Sequence, residues 1–230
     1  MPEKKKVSRK KLLKEPDEFI STTAKVIGFL KEHRRKLALY GVVALVIAAA
    51  AVGVQTYFRW QEEKAQAIQQ QALLLYQQAA GRSQEAGAEK EFREALKKFQ
   101  EALAAYHRGI TAQISRIYLG HCHYALKEYD PAIQAYAQAV SGPLRAMALE
   151  GLGYAHEAKG DTRKALEYFE QNLTAKSSPY QLADLLNVGR CYERLGQKGK
   201  ALEAYQKALA RSPKSQLADF VQMKIGELKG

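Results

Sequence analysis

The sequence predicts an all-α protein: a single N-terminal transmembrane helix followed by a superhelix of antiparallel helix hairpins. Three observations predict it. Alanine, leucine, glutamine, lysine and glutamate dominate the 230 residues against only 16 glycines and 6 prolines, which is helix rather than strand composition. Residues 37–58, LALYGVVALVIAAAAVGVQTYF, carry no charge for 22 positions. The C-terminal part repeats itself at intervals of 33 to 37 residues.

The first element, residues 1–36, is a basic tail holding twelve Lys or Arg against five Asp or Glu, more than half of the chain's net charge of +12. Lys4 to Lys14 reads as disordered. Pro16, Asp17 and Glu18 resemble a helix start, and Phe19, Ile20, Thr23, Val26, Ile27 and Leu30 then share roughly one face. This short amphipathic helix is expected to lie on the inner membrane surface, with docking of a cytoplasmic partner as the alternative.

The second element, 37–58, matches the about 20 residues a helix needs to cross about 30 Å of hydrocarbon. Arg34, Arg35 and Lys36 close one end and Arg59 the other, while Tyr57, Phe58 and Trp60 gather where aromatic rings favour the headgroup region. A core helix of this length would show a polar face. A signal peptide has an apolar region of about 7 to 15 residues, although small residues around Ala49 to Gly53 permit cleavage. No cysteine stands near the apolar end to take a lipid. An uncleaved anchor fits best. Twelve basic residues precede the span and only Arg59 and Lys64 follow closely, so the N-terminus is expected to stay cytoplasmic. In a bacterium the C-terminal domain is then periplasmic and the chain a single-pass inner-membrane protein.

The third element, 59–88, continues the helix as a stalk from Trp60 to Ala80 and ends in a Gly- and Ser-containing loop, 81–87. The fourth, 89–230, is the repeat domain. Residues 185–213 contain Gly189, Tyr192, Gly196, Ala201, Tyr205, Ala208 and Pro213. A step back of 36 residues finds Leu152, Gly153, Gly160, Ala165 and Phe169, and 33 more finds Leu119, Gly120, Ala132, Tyr136 and Ala139. A further 37 finds only Ala95, Phe99 and Ala102, so the stalk is expected to replace the missing first helix of that unit. Small residues let two helices approach to about 8–10 Å, and the aromatics fill the holes between hairpins. Since one hairpin cannot bury its own apolar face, several must stack. Gln216–Leu228 is expected to cap the stack, its first four residues repeating the QLAD of Gln181–Asp184.

These residues, at these spacings, resemble the tetratricopeptide repeat family, over about Ile114 to Pro213 and in degenerate form from Glu89 to Ala105. The layout of basic tail, one span, stalk and about four hairpins also resembles the YfgM-like family of bacterial inner-membrane proteins. That resemblance implies an accessory of the Sec translocon that links it to periplasmic chaperones or exported clients. A structural or assembly factor for an envelope complex, such as cytochrome c maturation, cell-wall synthesis or secretion, is the alternative.

In such a stack the first helices line the inner wall, which places His121, Tyr124, Tyr154, Glu157, Arg190, Glu193 and Arg194 in a partner-binding groove of mixed charge. The carboxylate clamp of chaperone adaptors is not expected, because Ile117, Glu150 and Leu186 stand near its places. No nucleic-acid partner is expected, since the strongest basic cluster abuts the span. Nor is a metal: His121 and His123 are two apart on a helix and diverge. Cys122 and Cys191 fall in non-neighbouring repeats, too far apart to bridge, and are expected to be buried thiols or to pair between molecules. No phosphate loop, nucleophile elbow or paired catalytic carboxylates occur, so neither enzymatic activity, a cofactor nor a small-molecule substrate is expected.

Overall fold

The computed structural model describes residues 18–82, 87–174, 181–213 and 216–230, with side chains from residue 23 onward except at 181. The Lys4–Lys14 stretch, Pro16 and most of the 81–87 loop lie outside the described residues. The described residues are helical and fall into two units, Met1–Phe58 and Arg59–Gly230.

In the first unit α1 (Glu18–Glu32) meets α2 (Arg34–Gly81) at a single turn residue, His33, whose N–H still donates to the Phe29 carbonyl at 3.0 Å. Val26, Ile27, Phe29 and Leu30 of α1 are exposed. Along α2 the whole apolar run is bare, with Leu45 at 70% and Ile47 at 64% exposure. By length and composition this helix is long and apolar enough to cross a bilayer.

The second unit starts with the rest of α2 and continues through α3 (Ala88–Ala105), α4 (Gly109–Ala125), α5 (Tyr129–Ala137), α6 (Arg145–Ala158), α7 (Thr162–Leu173), α8 (Gln181–Arg194), α9 (Lys198–Arg211) and α10 (Ala218–Lys229). Ala72 and Ala79 of α2 pack with Ala88, Phe92, Ala95 and Phe99 of α3 and with Leu119 and Cys122 of α4. The stalk thus supplies the first helix of the first hairpin. A polar seam joins it to α4, where Gln69 Nε2 donates to the Thr111 carbonyl and to Ser115 Oγ, both at 2.7 Å. A buried amide needs such partners to offset its desolvation.

Three hairpins share one turn. Lys127, Gly160 and Gly196 take positive φ of 60°, 91° and 72°. Each donates its N–H to the carbonyl three residues back, at 2.9–3.0 Å, while the next residue donates five back, at 2.8–2.9 Å. These bonds satisfy carbonyls that every helix C-terminus leaves open. Glycine suits this left-handed geometry; Lys127 adopts it without that freedom.

The same three hairpins close on a glycine facing an aromatic ring sixteen residues later: Gly120 and Tyr136, Gly153 and Phe169, Gly189 and Tyr205. A Cβ on Gly189 would lie 2.7 Å from Tyr205 Cε1, and on Gly120 or Gly153 it would collide with the facing ring. Gly151 of α6 also faces Tyr136, where an added Cβ would lie 2.5 Å from Cε1. The Tyr136 ring is therefore held between α4 and α6. Fully buried, Phe169, Tyr136 and Tyr205 each contribute about 1.5–3 kcal/mol.

Candidate partner-binding groove

The groove is built on helical spacing. Leu186, Asn187, Arg190, Glu193 and Arg194 recur at three and four residues along α8 and so share one face, beside Tyr154 and Glu157 on α6. Tyr124, Tyr154, Glu157, Arg190 and Arg194 line a recess of about 490 Å3. Tyr154, Arg190, Glu193 and Arg194 also line a larger one of about 760 Å3 that reaches α10. The structure thus gathers six of the seven residues expected there.

His121 is not among those lining residues. It faces the aromatic core, with Nδ1 2.7 Å from the Tyr136 hydroxyl and its ring centroid 5.4 Å from that of Tyr118. Burial lowers its pKa to about 4, so the ring is neutral near pH 7. Repeat register places a residue on a helix face, but the buried hydroxyl of Tyr136 claims this side chain.

The large recess has a floor that sequence reasoning missed. Leu182 and Leu186 of α8, Tyr205 of α9, Leu217 at the N-cap of α10 and Phe220 in its first turn all line it. Leu217 and Phe220 are 46% and 45% exposed. The QLAD repeat was the available signal, because it gives α10 the same phase as α8 and hence a share of the same wall.

The polar wall is a chain of ion pairs. Glu157, 9% exposed at its side chain, accepts from Arg190 Nε at 2.8 Å and Nη2 at 2.6 Å, and lies 3.3 Å from Arg194 Nη1. The first two form a bidentate pair, and the Glu157 hydrogen bond raises the Arg190 pKa. The same guanidinium lies 5.9 Å over the Tyr154 ring. Glu193 accepts from Lys224 Nζ on one oxygen and from the Tyr205 hydroxyl on the other, each at 3.1 Å. Asn187 Nδ2 donates to the Tyr154 hydroxyl at 3.0 Å, and burial raises the Tyr154 pKa.

Behind this wall Asp184 is fully buried. It accepts from Asn172 Nδ2 at 3.2 Å, while among the described residues its Oδ2 and the Asn172 Oδ1 have no partner. Burial pushes its pKa up to about 6, and burial likewise raises that of Glu150.

Cys122 and Cys191 are free, buried thiols in separate core clusters, pushed up to about 12 and about 11 by burial. Such thiols are poor nucleophiles. His123 is engaged by Glu128 at 2.7 Å, and among the described residues no group of three or more His, Cys, Asp or Glu is arranged to hold a metal.

Residues 80–143 and 144–214 each match a family model described as Tetratricopeptide repeat, and neither model describes a catalytic family. No curated protein matches the sequence. Among solved structures, the chain is similar to a tetratricopeptide repeat protein from Parabacteroides merdae, with a TM-score of 0.54 and 20% identity over 68% of this chain and 61% of that one. It is also similar to the nearly identical TPR-like repeats of a protein from Podosopora anserina assigned as a kinesin light chain, with a TM-score of 0.52 and 20% identity over 74% of this chain and 84% of that one. At that identity the likeness shows the fold.

Proposed function

We propose that this tetratricopeptide repeat protein is a membrane-anchored protein-interaction module of the bacterial inner membrane, its tail cytoplasmic and its repeat domain periplasmic. There it would hold chaperones or exported clients near the Sec translocon. The repeats themselves make it a binder of proteins.

One observation carries the anchor. The apolar run of α2 is bare in the structure, with Leu45 at 70% exposure and Ile47 at 64%, and basic residues stand at both ends. Water would not tolerate so continuous an apolar surface, whereas hydrocarbon covers it at no cost. The charge asymmetry supports the orientation, and the resemblance in layout to YfgM-like proteins supports the translocon.

The test has two arms. An alkaline phosphatase fused after Gly230 should be active, and a fluorescent protein there that folds only in the cytoplasm should stay dark. Photocrosslinkers at Tyr154 and Arg190 should capture Sec components or periplasmic chaperones. A cytosolic reporter removes the location, and crosslinks to neither class remove the translocon.

A further inference from the structure

We propose that the recess between α6, α8 and α10 binds an extended polypeptide segment in which an apolar side chain stands next to a carboxylate. The inference rests on the protein-binding reading above and names the chemistry of its ligand.

On this wall each acidic side chain is already paired within the chain. Glu157 is screened from solvent behind two arginines, and Glu193 receives Lys224 on one oxygen and Tyr205 on the other. The cations are not used up. A guanidinium has five N–H donors. Arg190 places two on Glu157, and Arg194 offers one nitrogen at 3.3 Å. The two side chains remain 39% and 53% exposed. An incoming segment therefore meets an excess of donors and positive charge: Arg190, Arg194 and Lys224 line the recess against the single carboxylate of Glu193, which is 32% exposed and already paired with Lys224. A carboxylate answers both needs, since two guanidiniums share one anion here.

Beside them lies the apolar part of the same recess. Leu182, Leu186, Leu217 and Phe220 line it, and the recess as a whole, about 760 Å3, is large enough for a bulky side chain together with the charged group next to it. Burying a Leu or Phe there supplies attraction without direction, and the arginines fix which flank carries the charge. A lysine-bearing segment would bring further donors to a wall already rich in them.

The proposal is tested with the full chain in mild detergent and four fluorescein-labelled ten-residue peptides, followed by anisotropy. One carries Leu and Phe beside Asp. In the others Lys replaces Asp, Ser replaces Asp, or Ser replaces Leu and Phe. The Asp peptide should bind at least tenfold tighter than the other three. Arg194→Glu should reverse the preference between Asp and Lys, and Phe220→Asp should weaken the Asp peptide at least tenfold. Both residues are exposed, so the variants should keep the wild-type helical signal by circular dichroism; the reversal by Arg194→Glu is a gain that misfolding cannot produce.

Equal binding of the Lys or Ser-for-Asp peptide, or binding of none, overturns the proposal. A dimer by light scattering that both variants break and the Asp peptide does not dissociate assigns the recess to a second copy, and overturns it too. Failure here alongside crosslinks to periplasmic proteins would leave the interaction role intact. Binding here with a cytosolic reporter would retain the ligand chemistry and remove the location.

Discussion

The four residues QLAD open α8 at 181–184 and recur at 216–219 across the start of α10, yet the two helices treat the aspartate in opposite ways. Asp184 is fully buried among α6, α7 and α8, whereas Asp219 is exposed. The next residue follows suit: Leu185 is 8% exposed and Phe220, in the same phase of α10, 45%. In stacked hairpins a residue's environment is set by what packs over it, and among the described residues no further helix packs over α10 as α10 packs over α9.

The contrast is sharpest at the close approach. Gly189→Leu should drive a side chain into the Tyr205 ring and lower stability by about 3 kcal/mol or more. Lys224, in the same phase of α10, should accept Leu for less than about 1 kcal/mol, because it loses only a partly exposed ion pair. Urea midpoints followed by circular dichroism measure both, and similar losses at the two positions would end the comparison.

Protonation gives a second test. Asp184 has its folded pKa raised to about 6 from an ordinary value of 3.8, so the native state binds more protons in that window. Its contribution therefore destabilises above about pH 6 and is relieved as pH falls toward 4. Asp184→Asn removes the charge that burial disfavours. It should raise stability at pH 7.5 by about 2 kcal/mol and by much less at pH 4.5. Asp219→Asn should change neither value. An unstabilised Asp184→Asn at pH 7.5 would mean that the carboxylate is solvated.

The smallest effect tests the converse, the same geometry with different residues. Lys127 holds the left-handed turn position that Gly160 and Gly196 occupy in the following hairpins. Lys127→Gly should raise stability by about 0.5–1 kcal/mol, the relief of a side chain at positive φ less the added freedom of the unfolded chain. Gly196→Lys should cost about as much, read from the same urea curves.

Much of the fold could be read from the sequence, because the hairpin is specified locally. Gly120, Gly153 and Gly189 announce the close approach, and the aromatic sixteen residues on announces what enters it. Gly151 gave no such sign, because its role depends on a ring from the preceding hairpin. The groove was legible to the same degree. Helical phase gathers the arginines and Tyr154, but it carries no information about side-chain direction, so it points His121 to the groove although the Tyr136 hydroxyl holds it. Leu217 and Phe220 were missed because α10 was read as a seal, when its phase also makes it part of the wall. Gln69, Gln113 and Asn172 were illegible for a different reason. Each donates to a backbone carbonyl, of Thr111, Ala139 and Ala146 respectively, and no sequence pattern displays such a partner.

The Tyr136 ring, pinched between Gly120 on one hairpin and Gly151 on the next, acts as a rivet between modules that a solenoid otherwise only lays side by side. Under tension, neighbours joined by loose contacts would peel away one at a time. A shared rivet makes α4–α5 and α6 give way together, so force applied along the stack meets one tall barrier there instead of two low ones.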